Sequence, residues 1–210
     1  MIKNRKNQKG FTLIELLVVI AIIAVLAVVV VLTLNPAELL RQARDSNRLS
    51  DFATMKSAIA LYQTDVTTST LLGTSTWIYL ATPNGSPLAT ATTTYWATST
   101  QGSWGLAGGE TILSTTTSRV ITGLGWLPIN FNAISSGAPI SSLPQDPSDN
   151  YGGTSSTLYA YIFVTNGSTY KLITRMESIK YSQGGSADVE TGDGGTDIYA
   201  YEQGTNLGGL

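Results

Sequence analysis

The feature that most constrains this chain is an apolar run from Phe11 to Leu34, which follows a basic stretch and contains one acid near its start. As a helix, the run would be roughly 36 Å long at 1.5 Å per residue, enough to cross a hydrocarbon core of about 30 Å. The acid is Glu15, and a charged side chain at bilayer depth costs roughly 2.5–3.5 kcal/mol on insertion scales. Such a residue usually has a partner, so Glu15 is the first candidate functional residue.

The charge distribution gives this segment an orientation. Lys3, Arg5, Lys6 and Lys9 precede the run, and residues 1–10 contain no acid. By the positive-inside rule, this flank stays in the cytoplasm and the chain beyond the run lies outside. The whole chain has a net charge of −2, and nothing in that balance indicates nucleic acid as the main partner.

Three interpretations of the run compete. A secretory signal peptide has an apolar core of about 7–15 residues and an A-x-A cleavage site, whereas this run is longer and lacks that site. A plain membrane anchor suits the length but gives Glu15 no role. The third interpretation rests on the order of residues at the start of the run, Lys9-Gly10 followed by Phe11-Thr12-Leu13-Ile14-Glu15.

This order of residues resembles the class III signal of type IV pilins and related pseudopilins. The resemblance implies cleavage after Gly10 by a prepilin peptidase on the cytoplasmic side, and N-methylation of the new terminus at Phe11. It also implies a precursor in the inner (cytoplasmic) membrane, with a single span and its N-terminus in the cytoplasm. Pilus or secretion assembly machinery would then build a helical homopolymer, an extracytoplasmic or cell-surface filament.

The same resemblance implies a partner for Glu15, the amine of Phe11 in a neighbouring subunit. Phe11 and Glu15 are four residues apart, so they share one helix face. Opposite charges attract more strongly in apolar surroundings than in water, and an unpaired buried charge is heavily penalised. Glu15 is therefore predicted to check subunit register during assembly.

A helix break and a second helix are predicted after the apolar run. Pro36 lacks an amide donor but suits the first position of a new helix. Asn35 is predicted to cap this helix, and the side chain of Glu38 is predicted to accept a hydrogen bond from the Asn35 backbone in return. This helix is predicted to run to about Tyr62. Its apolar stripe recurs at three- and four-residue spacing and consists of Leu49, Phe52, Met55, Ile59 and Tyr62. Charged residues that lie mainly off the stripe are interpreted either as a solvated face or as ion pairs between subunits: Arg41, Arg44, Asp45, Arg48 and Asp51.

Strands are predicted in the C-terminal part. Residues 158–165 and 168–176 are rich in aromatic and β-branched side chains, and Asn166-Gly167 between them is a strong hairpin signal. Residues 119–131 are predicted to add one or two strands. Residues 66–118 are rich in Ser and Thr but are punctuated by aromatic side chains, which favours an ordered, loop-rich region with short strands.

The expected fold class is α+β, with a long N-terminal hydrophobic helix that is transmembrane and kinked near Pro36. The C-terminal half of that helix is predicted to pack on a small antiparallel β-sheet, as in a pilin-like ladle, with a loop-rich insertion between them. The predicted segments are a basic leader (1–10), a transmembrane or filament-core helix (11–34), an amphipathic helix (35–65), a Ser/Thr-rich loop and short-strand region (66–142), and a sheet with an acidic glycine-rich tail (143–210).

A second resemblance lies just before the predicted sheet. Residues 143–147 (LPQDP) are similar to the L-P-x-D-P segment that leads into the sheet of major pseudopilins of type II secretion. Ser148-Asp149-Asn150 stands where those proteins usually have Trp-Gly-Asn.

The glycine-rich tail contains several acids, namely Asp188, Glu190, Asp193, Asp197 and Glu202. Calcium takes six to eight oxygen ligands, often from flexible loops. Residues 193–198 also look like the acidic end of pseudopilins that bind calcium there. Asp188, Asp193 and Asp197 are therefore candidate calcium ligands, and the alternative is a solvated acidic tail. No other cofactor is predicted.

The predicted function is structural rather than enzymatic. The chain has no His and no Cys, which removes the commonest general base, the commonest zinc ligands and any disulfide. The interpretation that accounts for most residues is a prepilin that polymerises through its apolar helix. Two alternatives stay open: a minor tip pilin with an adhesive or DNA-uptake role, and a membrane-anchored extracytoplasmic binding domain that does not polymerise.

Overall fold

The computed structural model describes residues 10–66, 77–81, 111–116, 118–148 and 159–208. For Leu32 and for the strands at 77–81 and 111–116, only the backbone is described. The leader predicted at residues 1–9 and most of the predicted Ser/Thr-rich region lie outside these residues. The chain divides into two compact units, Met1–Leu40 and Arg41–Leu210.

The first unit contains helix α1, Leu13–Leu34, which is apolar on every face. Thr12 caps its N-terminus, and Asn35 follows its last residue with a left-handed backbone, at φ 40°. An all-round apolar helix is either a membrane span or a helix buried by other protein. Leu13–Val31 is the one segment, within the described ranges, that is long and apolar enough to cross a membrane.

Helix α2, Pro36–Asp65, begins directly after the break at Asn35. The Asn35 carbonyl accepts the amides of Glu38 and Leu39, at 3.0 and 3.3 Å. Asn tolerates the left-handed conformation better than most residues because its short polar side chain bonds locally. The predicted interruption near Pro36 is confirmed, and α2 continues three residues past the predicted end at Tyr62.

The second unit contains a sheet of five strands, counted over the described residues, in the order β2-β1-β3-β4-β5. The strands are β1 Trp77–Ala81, β2 Thr111–Thr116, β3 Tyr161–Thr165, β4 Tyr170–Thr174 and β5 Tyr201–Gly204. The pairs β1–β3, β3–β4 and β4–β5 are antiparallel, whereas β2 adds to β1 in parallel. The β3–β4 hairpin is as predicted, and β5 lies in the predicted acidic tail, where no strand is predicted. The fold class is α+β.

The hairpin between β3 and β4 forms at the predicted Asn-Gly pair. Gly167 has φ 90°, which the pair was expected to need. The side-chain oxygen of Asn166 accepts the amides of Ser168 and Thr169, at 3.1 and 2.9 Å. Both strands are shorter than predicted, and β4 begins at Tyr170 because residues 166–169 form a turn held by the Asn166 side chain.

The strands predicted within residues 119–131 are wrong. The structure has an isolated antiparallel bridge between Thr122 and Asn130, followed by a 3-10 helix at Phe131–Ala133. Trp126 and Leu127 are adjacent in sequence and both buried, so the segment lacks the alternation of a half-buried strand. This irregular segment contributes large apolar side chains to the core.

The core of the second unit lies between α2, this irregular segment and one face of the sheet. Most of the predicted stripe of α2 is confirmed, because Phe52, Met55 and Ile59 are fully buried and Tyr62 packs partly against them, whereas Leu49 is half-buried and lies outside the core cluster. Other buried members of the cluster are Ala58, Trp126, Leu127, Ile129, Phe131, Ile134, Leu143, Tyr161, Phe163, Tyr170 and Leu172. Each contributes roughly 25 cal/mol per Å² of apolar surface removed from water, so the cysteine-free domain has a core without disulfides.

Candidate processing and assembly site

Glu15 has a partner within its own chain. Its carboxylate accepts a hydrogen bond from the Thr12 backbone amide at 2.8 Å and another from the Thr12 hydroxyl at 2.7 Å. The Thr12 hydroxyl oxygen in turn accepts the Glu15 amide at 3.3 Å, completing a capping box. The sequence analysis did not anticipate this local role, although Thr-x-x-Glu before an apolar run is the pattern that indicates it.

Gly10 and Phe11 lie just before this cap, and both are exposed. A Cβ added at Gly10 would meet nothing within 4 Å, so the fold does not require glycine there. The ring of Phe11 is 90% exposed. Cleavage after Gly10 and methylation at Phe11 stay predictions, and any need for glycine must come from the enzyme that cuts the chain.

The surface of α1 is uncovered along its length. Leu13, Ile14 and Leu16 are 78%, 69% and 62% exposed, and the other large apolar side chains described between Leu17 and Leu34 are about half exposed or more. Soluble proteins rarely expose an apolar surface of this extent unless it is an interaction or membrane surface. The apolar surface of α1 is therefore of the kind that lipid or other protein covers.

A buried charge network lies in the second unit, centred on Arg48. Its guanidinium donates to the two oxygens of Asp146 at 2.8 and 2.7 Å and to Asp45 at 2.6 Å. It also donates to Glu177, which Arg44 contacts from the more exposed side. The carboxylate of Asp45 accepts the backbone amide of Glu177 at 2.9 Å. The network thus ties α2 to the LPQDP segment and to the chain leaving β4.

These contacts correct both interpretations of the charges on α2. Asp45 and Arg48 are fully buried, so for these two a solvated face is wrong, and their partners lie within the same chain. Burial alone would lower the pKa of Arg48, but its hydrogen bonds and attraction to Asp146 and Glu177 raise it instead. The sequence did not indicate that Asp146 pairs with Arg48. The spacing of Asp45 and Arg48 on one helix face was the available signal.

Part of the acidic tail is folded against the sheet: three of its acids are buried, whereas Asp188 and Asp193 are partly exposed. Lys171 and Glu202 pair at 2.8 Å with 1% and 0% of their side chains exposed. The other carboxylate oxygen of Glu202 accepts the amide of Thr196 at 2.6 Å. A Cβ at Gly195 would overlap this carboxylate, so glycine there permits the close approach. Glu190 and Asp197 are buried as well.

The three candidate calcium ligands each bond to nearby backbone. Asp188 accepts the amides of Gly184, Glu190 and Thr191, at 2.8 to 3.0 Å. One oxygen of Asp193 accepts the Gly195 amide at 2.7 Å, and one oxygen of Asp197 accepts the Tyr199 amide at 2.9 Å. The second oxygen of Asp197 is buried without a hydrogen-bond partner. In the part of the chain that the structure describes, no group of three such side chains is placed to hold a metal ion.

Comparison with known proteins places the N-terminal segment. Over residues 5–31, the chain matches the family described as the prokaryotic N-terminal methylation motif. The chain therefore carries the class III signal found in type IV pilins and pseudopilins, and with α1 this indicates a membrane-anchored precursor. No curated protein and no solved structure matches the chain. The likeness of residues 143–147 to major pseudopilins stays a prediction.

Proposed function

We propose that this protein is a prepilin, cleaved after Gly10, methylated at Phe11 and polymerised through α1 into a type IV pilus or pseudopilus. The observation that carries the proposal is the combination of the methylation motif at residues 5–31 with an apolar helix exposed along its length. A membrane covers such a helix before assembly, and the helices of neighbouring subunits cover it afterwards. The partners are other copies of this chain, a prepilin peptidase and an assembly machinery.

The globular unit supports a structural role in a filament. Its core, its five-stranded sheet and the Arg48 network are complete within one chain. This unit therefore has the internal contacts needed to keep its shape while α1 passes from lipid to protein surroundings. A helix that is buried in both states, with a stable domain attached, suits a subunit that leaves the membrane by polymerisation.

The proposal predicts that the chain appears in surface material and that Gly10→Val prevents this. The valine has room in the fold, because nothing lies within 4 Å of a Cβ at this position. We expect wild-type protein in the fraction sheared from cells of the native host, and Gly10→Val protein at its unprocessed size in the membrane. The measurement is an immunoblot of both fractions.

The matched control is Leu13→Val, which changes an exposed apolar residue of α1 and leaves Gly10 in place. It is expected to be processed and sheared like wild type. Wild-type protein confined to the membrane fraction would contradict the filament and favour the anchored binding domain. Processing of Gly10→Val at the normal position would contradict the assigned cleavage site.

We also propose calcium binding at the acidic tail, anchored by Asp197 and completed by backbone carbonyls and water, because Asp188 and Asp193 do not form a three-carboxylate group with it. Support comes from the buried oxygen of Asp197 that lacks a hydrogen-bond partner.

A ligand bound only to the folded state stabilises the protein by about 2.7 kcal/mol at a hundredfold excess over its dissociation constant. Calcium should then raise the melting temperature by about 5–10 °C for a chain of this size, and Asp197→Asn should remove that gain. Equal melting with calcium and with a chelator would contradict the site.

A further inference from the structure

A cavity of about 270 Å³ lies on the second unit, and one of its lining residues, Tyr159, borders the Arg48 network. Its lining includes Tyr159, Arg175, Ser182, Gln183, Glu190 and Tyr199. Pockets that bind small molecules have volumes from roughly 300 Å³ upward. This cavity is slightly smaller than that, so it suits a ligand with about one small ring. The lining combines two aromatic rings with several groups that form hydrogen bonds.

The carboxylate of Glu190 is fixed in the wall of the cavity. The side chain is only 4% exposed. One of its oxygens accepts the Met176 amide at 2.9 Å, and the other accepts the Gln183 amide at 2.9 Å. Each carboxylate oxygen has a second lone-pair direction, so Glu190 retains capacity for a hydroxyl donor. The two backbone amides therefore hold the Glu190 carboxylate in one orientation in the cavity wall.

The charges around the cavity favour a neutral ligand. Arg175 is 9% exposed and lines the same cavity as Glu190. Burial lowers the pKa of Arg175, and attraction to Asp197 and Glu190 opposes that effect. A ligand with a single charge would face a like charge in the lining, namely Arg175 for a cation and Glu190 for an anion. A neutral molecule with both donors and acceptors avoids both conflicts.

The two tyrosines supply the apolar part of the lining. The ring of Tyr159 lies under the Arg48 guanidinium, 5.0 Å from the ring centroid, which ties its position to the buried charge network. Tyr199 is 45% exposed, so part of its ring borders solvent while it lines the cavity. Tyrosine offers a large apolar face with a polar tip. A pyranose ring is complementary, because it has an apolar C–H face and a rim of hydroxyls.

We propose that this cavity binds a neutral saccharide unit, a hexose or an N-acetylhexosamine of a surface glycan. The sugar ring would lie against the tyrosines, and its hydroxyls would donate to Glu190 and bond to the Gln183 and Ser182 side chains. Arg175 would donate to a ring or hydroxyl oxygen. The site needs only one copy of the chain, so it does not depend on polymerisation.

The test is saturation-transfer NMR on the full chain in a detergent that has no sugar headgroup. The probes are glucose, galactose, mannose and N-acetylglucosamine at millimolar concentration, with sialic acid as an anionic comparison. We expect transfer to at least one neutral probe and its loss in Tyr199→Ala and in Gln183→Ala. Tyr181→Ala is the matched control, because it removes a nearby tyrosine that does not line the cavity, and it should keep the signal.

Thermal melting of each variant shows whether it is folded, and Gln183→Ala retains the backbone amide that holds Glu190. The proposal is overturned if no neutral probe receives transfer or if only sialic acid does. Transfer that persists in folded Tyr199→Ala and Gln183→Ala, or that is lost in Tyr181→Ala alone, also overturns it.

Discussion

Replacing Glu15 with alanine is expected to abolish filament assembly while membrane insertion and leader cleavage continue. Insertion of a single chain should even become easier, because a costly ion leaves the apolar run. Assembly should fail because the incoming subunit's Phe11 amine would be buried without a counter-charge. Breaking a buried ion pair costs about 3–5 kcal/mol, which corresponds to more than about a hundredfold in the equilibrium for adding a subunit.

Glu15 also caps α1, and the two roles can be separated. Glu15→Gln removes the charge but keeps an oxygen that can accept the Thr12 bonds, so the capping box survives. Thr12→Ala removes the cap and keeps the charge, and loss of a cap costs only about 1 kcal/mol. We therefore expect Glu15→Gln to fail like Glu15→Ala, and Thr12→Ala to assemble.

The measurement is the yield of sheared filaments, compared with an immunoblot of processed subunit in the membrane. Wild-type yield from processed Glu15→Gln protein would show that the charge has no role in assembly. Failure of Thr12→Ala together with success of Glu15→Gln would assign the effect of Glu15 to helix capping alone.

Arg48→Ala is expected to destabilise the globular unit by about 3–5 kcal/mol, because three acids would stay buried without their shared counter-charge. Those acids are Asp45, Asp146 and Glu177. The loss is a large part of a total stability that is typically 5–15 kcal/mol. Urea unfolding of the detergent-solubilised chain, followed by tryptophan fluorescence, measures it, since Trp126 is in the core and bonds to the Pro144 carbonyl.

Two variants control for the loss of an arginine and for its geometry. Arg44→Ala removes a pair with Glu177 that is 33% exposed on the arginine side, so a change of about 1 kcal/mol or less is expected. Arg48→Lys retains the charge but lacks the planar fork that contacts both oxygens of Asp146. It should fall between the other two. Equal stability of Arg48→Ala and Arg44→Ala would contradict a central role for Arg48.

Local signals made much of this fold predictable. The apolar run, the Asn35-Pro36 break and the stripe of Phe52, Met55 and Ile59 each follow from spacing within one helix, and the structure has all of them. The Asn166-Gly167 turn is likewise a local signal. Such features depend on neighbours within four residues, which a single sequence displays directly.

The features that the sequence did not reveal depend on distant neighbours. Arg48 meets Asp146 across 98 positions, and no local pattern distinguishes a buried guanidinium from a solvated one. Glu202 is buried because Lys171 lies across the β4–β5 pair. The cavity beside Glu190 gathers residues from five separate places in the chain between Tyr159 and Tyr199. Whether a charged side chain is buried depends on partners that are distant in sequence, so the structure is needed to identify the buried ones.

The intact mass of the protein in sheared surface filaments tests the central claim most directly. The proposed prepilin predicts the mass of residues 11–210 plus one methyl group, because cleavage follows Gly10 and methylation falls on Phe11. A filament protein that retains Met1, or one that begins at Phe11 without the methyl group, would contradict the proposed processing.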